Sequence, residues 1–440
     1  MSSRKPRTLV DRSIDDLNSE TVELARQIHD WAEPPFKEVQ SARAVADYLE
    51  RHDFEVDFAY PKIPTAFRAV RGHGKPVIGI LGEYDALPDC GPKKNQWGHG
   101  CGHHLLGMGA AAGAVASAEL LDETGRKGTI VYYGCPAEEV LAGKAYMARD
   151  GAFFDLDVCI GWHPSGGTNP NNVGGSALDS LIVEFFGTTA HGAFAAAGRS
   201  ALDGAVLFDV AVNYLREHIP ENVRIHSIIA HGGKAPNVVP EYAKTWYYIR
   251  GKDREQVDDV RRRLLLCAKG AATATETKTR SRRLTSGYSR LPNDALFEVV
   301  GDAVREVGPP EVKPADRKRA KSAGLSGEFN LEVGPGPSQP GRASSDQDTV
   351  SWIAPFVAFN VVCSPQGTQG HHRQMHEVSG HPFAYRGMMQ AAKIFAASID
   401  RLTARPEPMK KIKSEFRRRT KGFEFDPLIP KRQRIPDDVW

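Results

Sequence analysis

Apolar residues in the first part of the chain alternate between two spacings, which predicts alternating helices and strands. Spacings of three and four residues predict helices around 20–32, 38–52, 105–121 and 139–149. Continuous apolar runs predict buried strands at 76–82, 129–133 and 157–162. Strands and helices in this order are typical of a largely parallel sheet that is covered by helices on both faces.

The pattern changes from residue 178 onward. Strands are predicted at 181–186, 224–230, 243–249 and 273–284, and helices at 201–218 and 254–271. Their β-α-β-β-α-β order is the signature of a small ferredoxin-like α+β domain. A helix at 294–307 and a strand at 355–362 then resume the first pattern. We therefore predict an α/β domain of residues 1–177 and 289–440, with the small domain of residues 178–288 inserted in it.

Two segments have a surface-like composition. Residues 308–345 are rich in Pro, Gly, Lys and Ser, which predicts a long excursion over the surface. The tail after residue 405 carries basic clusters at 410–411 and 417–419. We interpret it as a solvated or docked tail rather than as a site for an acidic partner.

Composition narrows the classes of function. The chain has 440 residues, of which 41% are hydrophobic and 25% charged, and its formal net charge is +3. That charge is too small to indicate a nucleic-acid partner, and no apolar run reaches the ~20 residues that a membrane span needs. The six cysteines are scattered, unlike those of a disulfide-rich secreted protein. These features favour a cytoplasmic globular protein.

Clusters of polar residues follow four of the predicted strands. In chain order they are Glu83-Tyr-Asp85 with the nearby Gly98-His-Gly-Cys-Gly-His-His104, Cys135-Pro-Ala-Glu-Glu139, His163-Pro164 and Gly367-Thr-Gln-Gly-His-His372. The carboxyl ends of parallel strands share one edge of an open sheet, and ligand sites form there. We therefore expect these carboxylates, imidazoles and the thiol to meet in one crevice.

The residue types in these clusters point to metal chemistry. Cys101 and His103 are two residues apart at the start of a predicted helix, so irregular backbone can direct both at one ion. A thiolate, imidazoles and carboxylates suit zinc or a similar divalent first-row ion. Glu138 and Glu139 follow a buried strand, and we expect one to bind metal while the other acts as a general base.

At these residues the sequence resembles the M20 metallopeptidases, most closely the branch of aminobenzoyl-glutamate and indole-acetyl-amino-acid hydrolases. The matching stretches follow the family's order over much of the chain. They are Ile63-Pro-Thr-Ala-Phe67, residues 74–88, Gly98-His-Gly-Cys-Gly-His103, Pro136-Ala-Glu-Glu139, Gly187-Thr-Thr-Ala-His191, Ala235-Pro-Asn-Val-Val-Pro240 and residues 344–352.

The resemblance implies a site with two divalent ions. Their ligands would be Cys101, His103, Glu139, His163 and a C-terminal histidine. The family's last ligand usually follows Gly-Thr-Pro, whereas this chain has Gly-Thr-Gln at 367–369. Spacing to Gln374 favours His371, and His372 stays open. The resemblance favours manganese, although a thiolate suits zinc.

The resemblance also implies roles for residues that do not bind metal. Glu138 would be the general acid/base, and Asp85 would orient a ligand. The inserted domain would be a lid that joins two copies in a homodimer. His191 would reach an active site, often the partner's, and help to stabilise the tetrahedral intermediate. Asn237 would contact the substrate, as would Arg250, for which a surface charge at a strand end is an equal alternative.

Together these features predict a metal-dependent amidohydrolase, in which a hydroxide between two ions ~3.5–4 Å apart attacks the substrate. The expected substrate is a small carboxylate, such as an aminobenzoyl or N-acyl amino acid. One alternative is an aminohydrolase that releases the amine of an aminobenzoate ring as ammonia. Another is a non-catalytic binding protein, which loss of Glu138 or a ligand would indicate, and neither is missing.

Overall fold

The apolar runs of the sequence form the strands of two sheets, and the periodic segments form the helices that cover them. The computed structural model of the protein describes residues 6–341 and 343–438. Its strands are β1 (Glu55–Phe58), β2 (Phe67–His73), β3 (Val77–Glu83), β4 (Gly128–Cys135), β5 (Val158–Ser165), β6 (Asn169–Asn171), β7 (Ala177–Phe186), β8 (Arg224–His231), β9 (Tyr242–Gly251), β10 (Lys278–Gly287) and β11 (Phe356–Val362). Its α-helices are α1 (Pro6–Trp31), α2 (Val39–Arg51), α3 (His103–Thr124), α4 (Gly143–Arg149), α5 (Ala201–Leu215), α6 (Arg254–Ala274), α7 (Asp294–Val307), α8 (Pro314–Ser322), α9 (Gln347–Val350), α10 (Arg373–Ser379), α11 (Pro382–Ala404) and α12 (Glu407–Arg419).

The large sheet has seven strands within the described residues, in the order β1-β2-β4-β3-β5-β11-β6. The central strands β4, β3, β5 and β11 run parallel, whereas β1, β2 and β6 form antiparallel edges. The central strands are almost wholly buried, as expected for parallel strands with helices on both faces. The predicted α/β fold with a mostly parallel sheet is confirmed, although the sequence did not predict the antiparallel edges.

Helix α3 lies in the core, and its first turn carries His103, one of the expected metal ligands. Its glycines allow close packing, since a methyl group on Gly109 would lie 2.8 Å from the ring of Trp162. By length and composition α3 could cross a membrane, but 94% of its apolar window is buried inside the protein. It is therefore a core helix, and it begins at His103.

The second sheet has four antiparallel strands in the order β10-β7-β9-β8. Helices α5 and α6 cover one face through an apolar cluster that includes Phe185, Phe208 and Tyr247. Strand β10 begins at Lys278, later than the predicted residue 273, because α6 continues to Ala274. The element order is the predicted β-α-β-β-α-β order, while the exact limits of the inserted domain stay predictions.

Both surface-like segments, residues 308–345 and the tail after residue 405, contact the rest of the protein. Within residues 308–345, α8 forms and Phe329 packs on Phe383 with ring centroids 4.3 Å apart. In the tail, Ile429 is 3% exposed. Gln433 Nε2 donates to Tyr146 Oη at 2.7 Å and to the carbonyl oxygen of Arg283 at 2.5 Å. The tail therefore docks, and it bridges α4 of the large domain and β10 of the small sheet.

Candidate metal centre

Three neighbouring parallel strands deliver polar residues to one edge of the large sheet. Strand β3 ends at Glu83 and leads to Asp85, β4 leads to Glu138 and Glu139, and β5 carries His163 near its end. Strand β3 pairs with both β4 and β5, so the backbone brings these residues together. Glu138, Glu139 and His163 line one crevice, as the sequence led us to expect.

Cys101, His103 and His163 form the first group of donor atoms. Their ligand atoms lie within 4.8 Å of one another, and Cys101 Sγ lies 3.2 Å from His163 Nε2. Gly102 has a φ of +79°, a left-handed conformation that glycine adopts without strain. This turn places Cys101 just before α3 and His103 at its first residue.

Cys101, Glu139 and His371 form a second group, so the two groups share the cysteine. His371 Nε2 lies 3.6 Å from Glu139 Oε2. His372 instead precedes α10, where its Nδ1 accepts a hydrogen bond from the backbone N–H of Gln374 at 3.1 Å. The structure thus places His371, rather than His372, with the donor atoms.

The donor atoms fit a divalent metal ion. Among the described residues, His103 Nε2 and Glu139 Oε1 are buried without a hydrogen-bond partner, which is costly unless another group binds them. Burial raises the pKa of Glu139 to about 8 and that of Cys101 to about 12. A nearby cation would lower both pKa values by favouring the charged forms. Sulfur, imidazole and carboxylate donors together suit a first-row divalent ion.

The pKa values of buried His103 and partly buried His163 are shifted in opposite directions. Burial alone would lower the pKa of His103, but the carboxylates of Asp85 and Glu139 raise it well above its usual range. Burial and the neighbouring His103 lower the pKa of His163 to about 4. His163 is therefore a neutral imidazole at physiological pH, the form that binds metal.

Asp85 accepts a hydrogen bond from one residue of each donor group. His103 Nδ1–H donates to Asp85 Oδ1 at 2.8 Å, and the backbone N–H of Glu139 donates to Asp85 Oδ2 at 2.8 Å. The first contact leaves His103 Nε2 directed at the carboxylates of the site, 3.8 Å from Glu139 Oε1. Such contacts fix the orientation of metal ligands in known sites. One carboxylate thus orients two of the predicted ligands.

Glu138 lies beside the donor groups. Its Oε2 is 3.9 Å from His103 Nε2. Burial raises the pKa of Glu138 well above its usual range, and the charges of Glu83 and Asp346 add to this effect. The loop before it is held by Glu38, whose Oε1 accepts the backbone N–H of Ala137 at 2.8 Å. A carboxyl group this close to the donor atoms is placed to take part in proton transfer at the site.

The small sheet forms another wall of the crevice. Along β9, Trp246, Tyr248 and Arg250 line the crevice, whereas Tyr247 points into the core. The rings of Trp246 and Tyr248 pair edge to face with centroids 5.7 Å apart. The Arg250 guanidinium lies 5.6 Å from the centroid of the Tyr248 ring. A crevice of about 780 Å³ with aromatic and cationic surface suits a small carboxylate that carries an apolar group.

His191 and Asn237 lie away from this crevice. Both are exposed on the small domain, and they are neighbours, since the backbone N–H of Gly192 donates to the carbonyl oxygen of Asn237 at 2.7 Å. Phe194, which is 73% exposed, packs beside the His191 ring. The structure therefore brings Arg250 to the donor groups of its own chain, but it does not bring His191 or Asn237 there.

Sequence reasoning missed two charged residues beside the site. Lys144 is fully buried, and its Nζ lies 2.6 Å from Glu83 Oε1 and 2.6 Å from Asp346 Oδ1. No local pattern marks Lys144, because a lysine in the first turn of a helix is usually exposed. A signal for Asp346 did exist, since it stands in the stretch 344–352 that carried part of the resemblance.

Comparisons with known proteins cover most of the chain. Residues 79–356 match the sequence model described as Peptidase family M20/M25/M40. The chain is 34% identical to a subunit of the p-aminobenzoyl-glutamate hydrolase of Escherichia coli K12, over 96% of this chain and 97% of that protein. It is 27% identical to the Xaa-Arg dipeptidase of Homo sapiens, over 94% and 92% of the two chains. The fold is also similar to a dinuclear metal-binding M20 peptidase of Bacillus subtilis, with a TM-score of 0.60 at 16% identity over 89% of this chain and 99% of that one.

Proposed function

The chain belongs to peptidase family M20/M25/M40, and on that premise we propose that it hydrolyses the amide bond of an aromatic-acyl or N-acyl amino acid. The observation that carries the proposal is that two groups of donor atoms share Cys101 in a crevice with an aromatic and cationic wall. The Escherichia coli relative is named as part of a p-aminobenzoyl-glutamate hydrolase, which supports an aromatic-acyl amino acid as the substrate.

The site would hold two divalent ions. Their proposed ligands are Cys101, His103, Glu139, His163 and His371. When bound, such ions polarise a carbonyl oxygen and acidify water. We propose manganese over zinc on the resemblance to the aminobenzoyl-glutamate hydrolase branch, while the thiolate favours zinc. Metal-free protein reloaded with one metal at a time distinguishes them when bound metal and activity are both measured.

Three side chains of the crevice would act on water and substrate. Glu138 would take a proton from the attacking water and return it to the leaving nitrogen, which its position in the crevice beside His103 supports. Asp85 would keep two ligands oriented. Arg250 would bind the substrate carboxylate, because its Nη1 is buried and has no hydrogen-bond partner in the described part of the chain. Trp246 and Tyr248 would contact the apolar or aromatic part of the substrate.

Product analysis separates this proposal from its nearest alternative. Metal-loaded protein would be incubated with p-aminobenzoyl-glutamate, N-benzoylglycine, N-acetyl amino acids and aminobenzoates, with products followed by chromatography and ammonia by a coupled assay. Free amino acid without ammonia supports amide hydrolysis. Ammonia together with a hydroxylated ring supports the aminohydrolase, because only attack on the ring carbon expels the amine. Turnover of esters alone would refute the carbon–nitrogen assignment.

We also propose that two copies associate through the small domain. Six of the twelve large apolar side chains that are exposed in the described part of the chain lie on α5 or on the edge strand β8. They are Val206, Leu207, Val210 and Tyr214 on α5, and Ile228 and Ile229 on β8, of which Ile228 also lines the crevice. An apolar helix face next to an open strand edge suits a contact about a two-fold axis. His191 and Asn237, exposed and outside their own crevice, would then contact the crevice of the other copy.

The molecular mass in solution and the activity of mixed variants test the proposed dimer. A homodimer at micromolar concentration is expected, and a fully active monomer would refute it. The Escherichia coli relative is named as one subunit of its enzyme, so dependence on a second kind of chain is the competing outcome. Mixing His191→Ala with Glu138→Gln should restore part of the activity if His191 acts across the contact. Mixtures no more active than the two variants alone would argue against that role.

A cytoplasmic location completes the proposal. All six cysteines carry free thiols, as is usual in a reducing compartment. Fractionation of cells that express the protein tests this, since recovery from an oxidising compartment would contradict it.

A further inference from the structure

A buried lysine links two carboxylates next to the donor groups. Lys144 Nζ lies 2.6 Å from Glu83 Oε1 and 2.6 Å from Asp346 Oδ1, and all three side chains are at most 2% exposed. The backbone N–H of Lys144 also donates to Asp346 Oδ2 at 2.8 Å. The lysine is therefore held in place by Asp346, and it occupies only one of the two oxygens of Glu83.

The other oxygen of Glu83 faces a histidine nitrogen that is available to a metal ion. Glu83 Oε2 lies 3.5 Å from His103 Nε2. The Nδ1 of this ring is bonded to Asp85, whereas Nε2 is buried without a hydrogen-bond partner among residues 6–341 and 343–438. Glu83, His103 and Glu138 together place their ligand atoms within 4.8 Å of one another.

The spacing matches two ligands of one ion. A tetrahedral ion with bonds of about 2.0–2.2 Å separates neighbouring nitrogen and oxygen ligands by about 3.4 Å. The observed 3.5 Å between Glu83 Oε2 and His103 Nε2 agrees with this value.

We propose that Glu83 is a further ligand of the ion that His103 would hold. The inference rests on the proposed function, because it presupposes bound ions, but it adds a carboxylate that the five proposed ligands do not include. Lys144 pairs with Oε1 at 2.6 Å, and Oε2 lies 3.5 Å from His103 Nε2, so Oε2 would be the oxygen that binds the ion.

Glu83→Gln tests this ligand, because it keeps the shape of the side chain and removes its charge. We expect metal binding, measured by competition with a chelator, to weaken by at least about tenfold. The visible absorption spectrum of cobalt-loaded protein should also change, because the ligand set of one ion changes. The matched control is Asp316→Asn. Asp316 lies in α8, is buried and pairs with Arg386, so this change should alter neither the metal affinity nor the cobalt spectrum.

Each outcome decides the proposal. Weaker binding with a changed cobalt spectrum supports it, and an unchanged spectrum overturns it whatever the affinity. If Glu83→Gln does not fold, crystals of the unmodified protein loaded with zinc decide the matter. Anomalous scattering should place an ion about 2.0–2.2 Å from Glu83 Oε2, and a separation above about 3 Å would overturn the proposal. If the unmodified protein bound no ion at all, the proposed function itself would fail, which keeps the two failures distinct.

Discussion

Replacing Asp85 by Asn tests whether both donor groups depend on one supporting carboxylate. Asp85 accepts the N–H groups of His103 and Glu139, both at 2.8 Å. An asparagine has one acceptor oxygen, and an NH₂ group replaces the second carboxylate oxygen. In one of the two contacts an N–H group would therefore face this NH₂ group, and that hydrogen bond would be lost. A hydrogen bond to a charged group contributes about 1.5–3 kcal/mol, and about 1.4 kcal/mol corresponds to tenfold in an equilibrium constant. We therefore expect Asp85→Asn to bind metal about 10- to 100-fold more weakly.

Chelator competition measures the affinity, elemental analysis gives the number of ions, and urea unfolding of the metal-free protein gives its stability. Asp316→Asn is again the control, since Asp85 and Asp316 are 1% and 4% exposed. Both variants should lose some stability, but only Asp85→Asn should lose metal affinity. Wild-type affinity for both ions in Asp85→Asn would refute the reasoning, even if the protein became less stable.

Three other changes test separate parts of the account. Glu138→Gln should keep its metal content and lower kcat by about 10²–10⁴, and near-normal turnover would contradict the role of Glu138. Ile429→Ala should lower the free energy of unfolding in urea by about 2 kcal/mol or more, because Ile429 is buried in the core, and an unchanged midpoint would show that the tail is not docked. Burial would raise the pKa of Asp157, but Lys413 and the N–H of Val77 hold it below its ordinary 3.8, so this carboxylate stabilises the fold above its unfolded-state pKa. Asp157→Asn should therefore destabilise the protein at pH 7, by an amount that shrinks as the pH falls below about 4, and a pH-independent difference would count against the ion pair.

The fold was predictable where apolar runs are long and continuous. Strands β3, β4 and β5 are buried on both faces, so nearly every residue in them is apolar or small. The edge strand β1 has four residues, of which Glu55 and Asp57 are exposed, and such a short alternating segment resembles a loop. The sequence left open whether the tail is solvated or docked, because Ile429 and Gln433 are isolated among polar residues and contact the core only through the tertiary fold.

The candidate site was predictable where its residues are close in sequence or follow a strand. Spacing favoured His371 over the adjacent His372 but left His372 open, because the capping contact of His372 depends on where α10 begins. The contact of Lys144 with Asp346 joins residues 202 positions apart. Periodicity reports only local structure, so such a contact becomes visible only when the chain is folded.

The most direct test of a two-metal amidohydrolase counts ions and products in the same sample. Elemental analysis of freshly purified protein gives the metal content per chain, and chromatography follows p-aminobenzoyl-glutamate added to that sample. Two ions per chain are predicted, with p-aminobenzoate and glutamate formed in equal amounts, no ammonia, and loss of turnover when a chelator removes the metal. Undiminished amide hydrolysis after complete removal of metal, or ammonia in place of glutamate, would contradict the account.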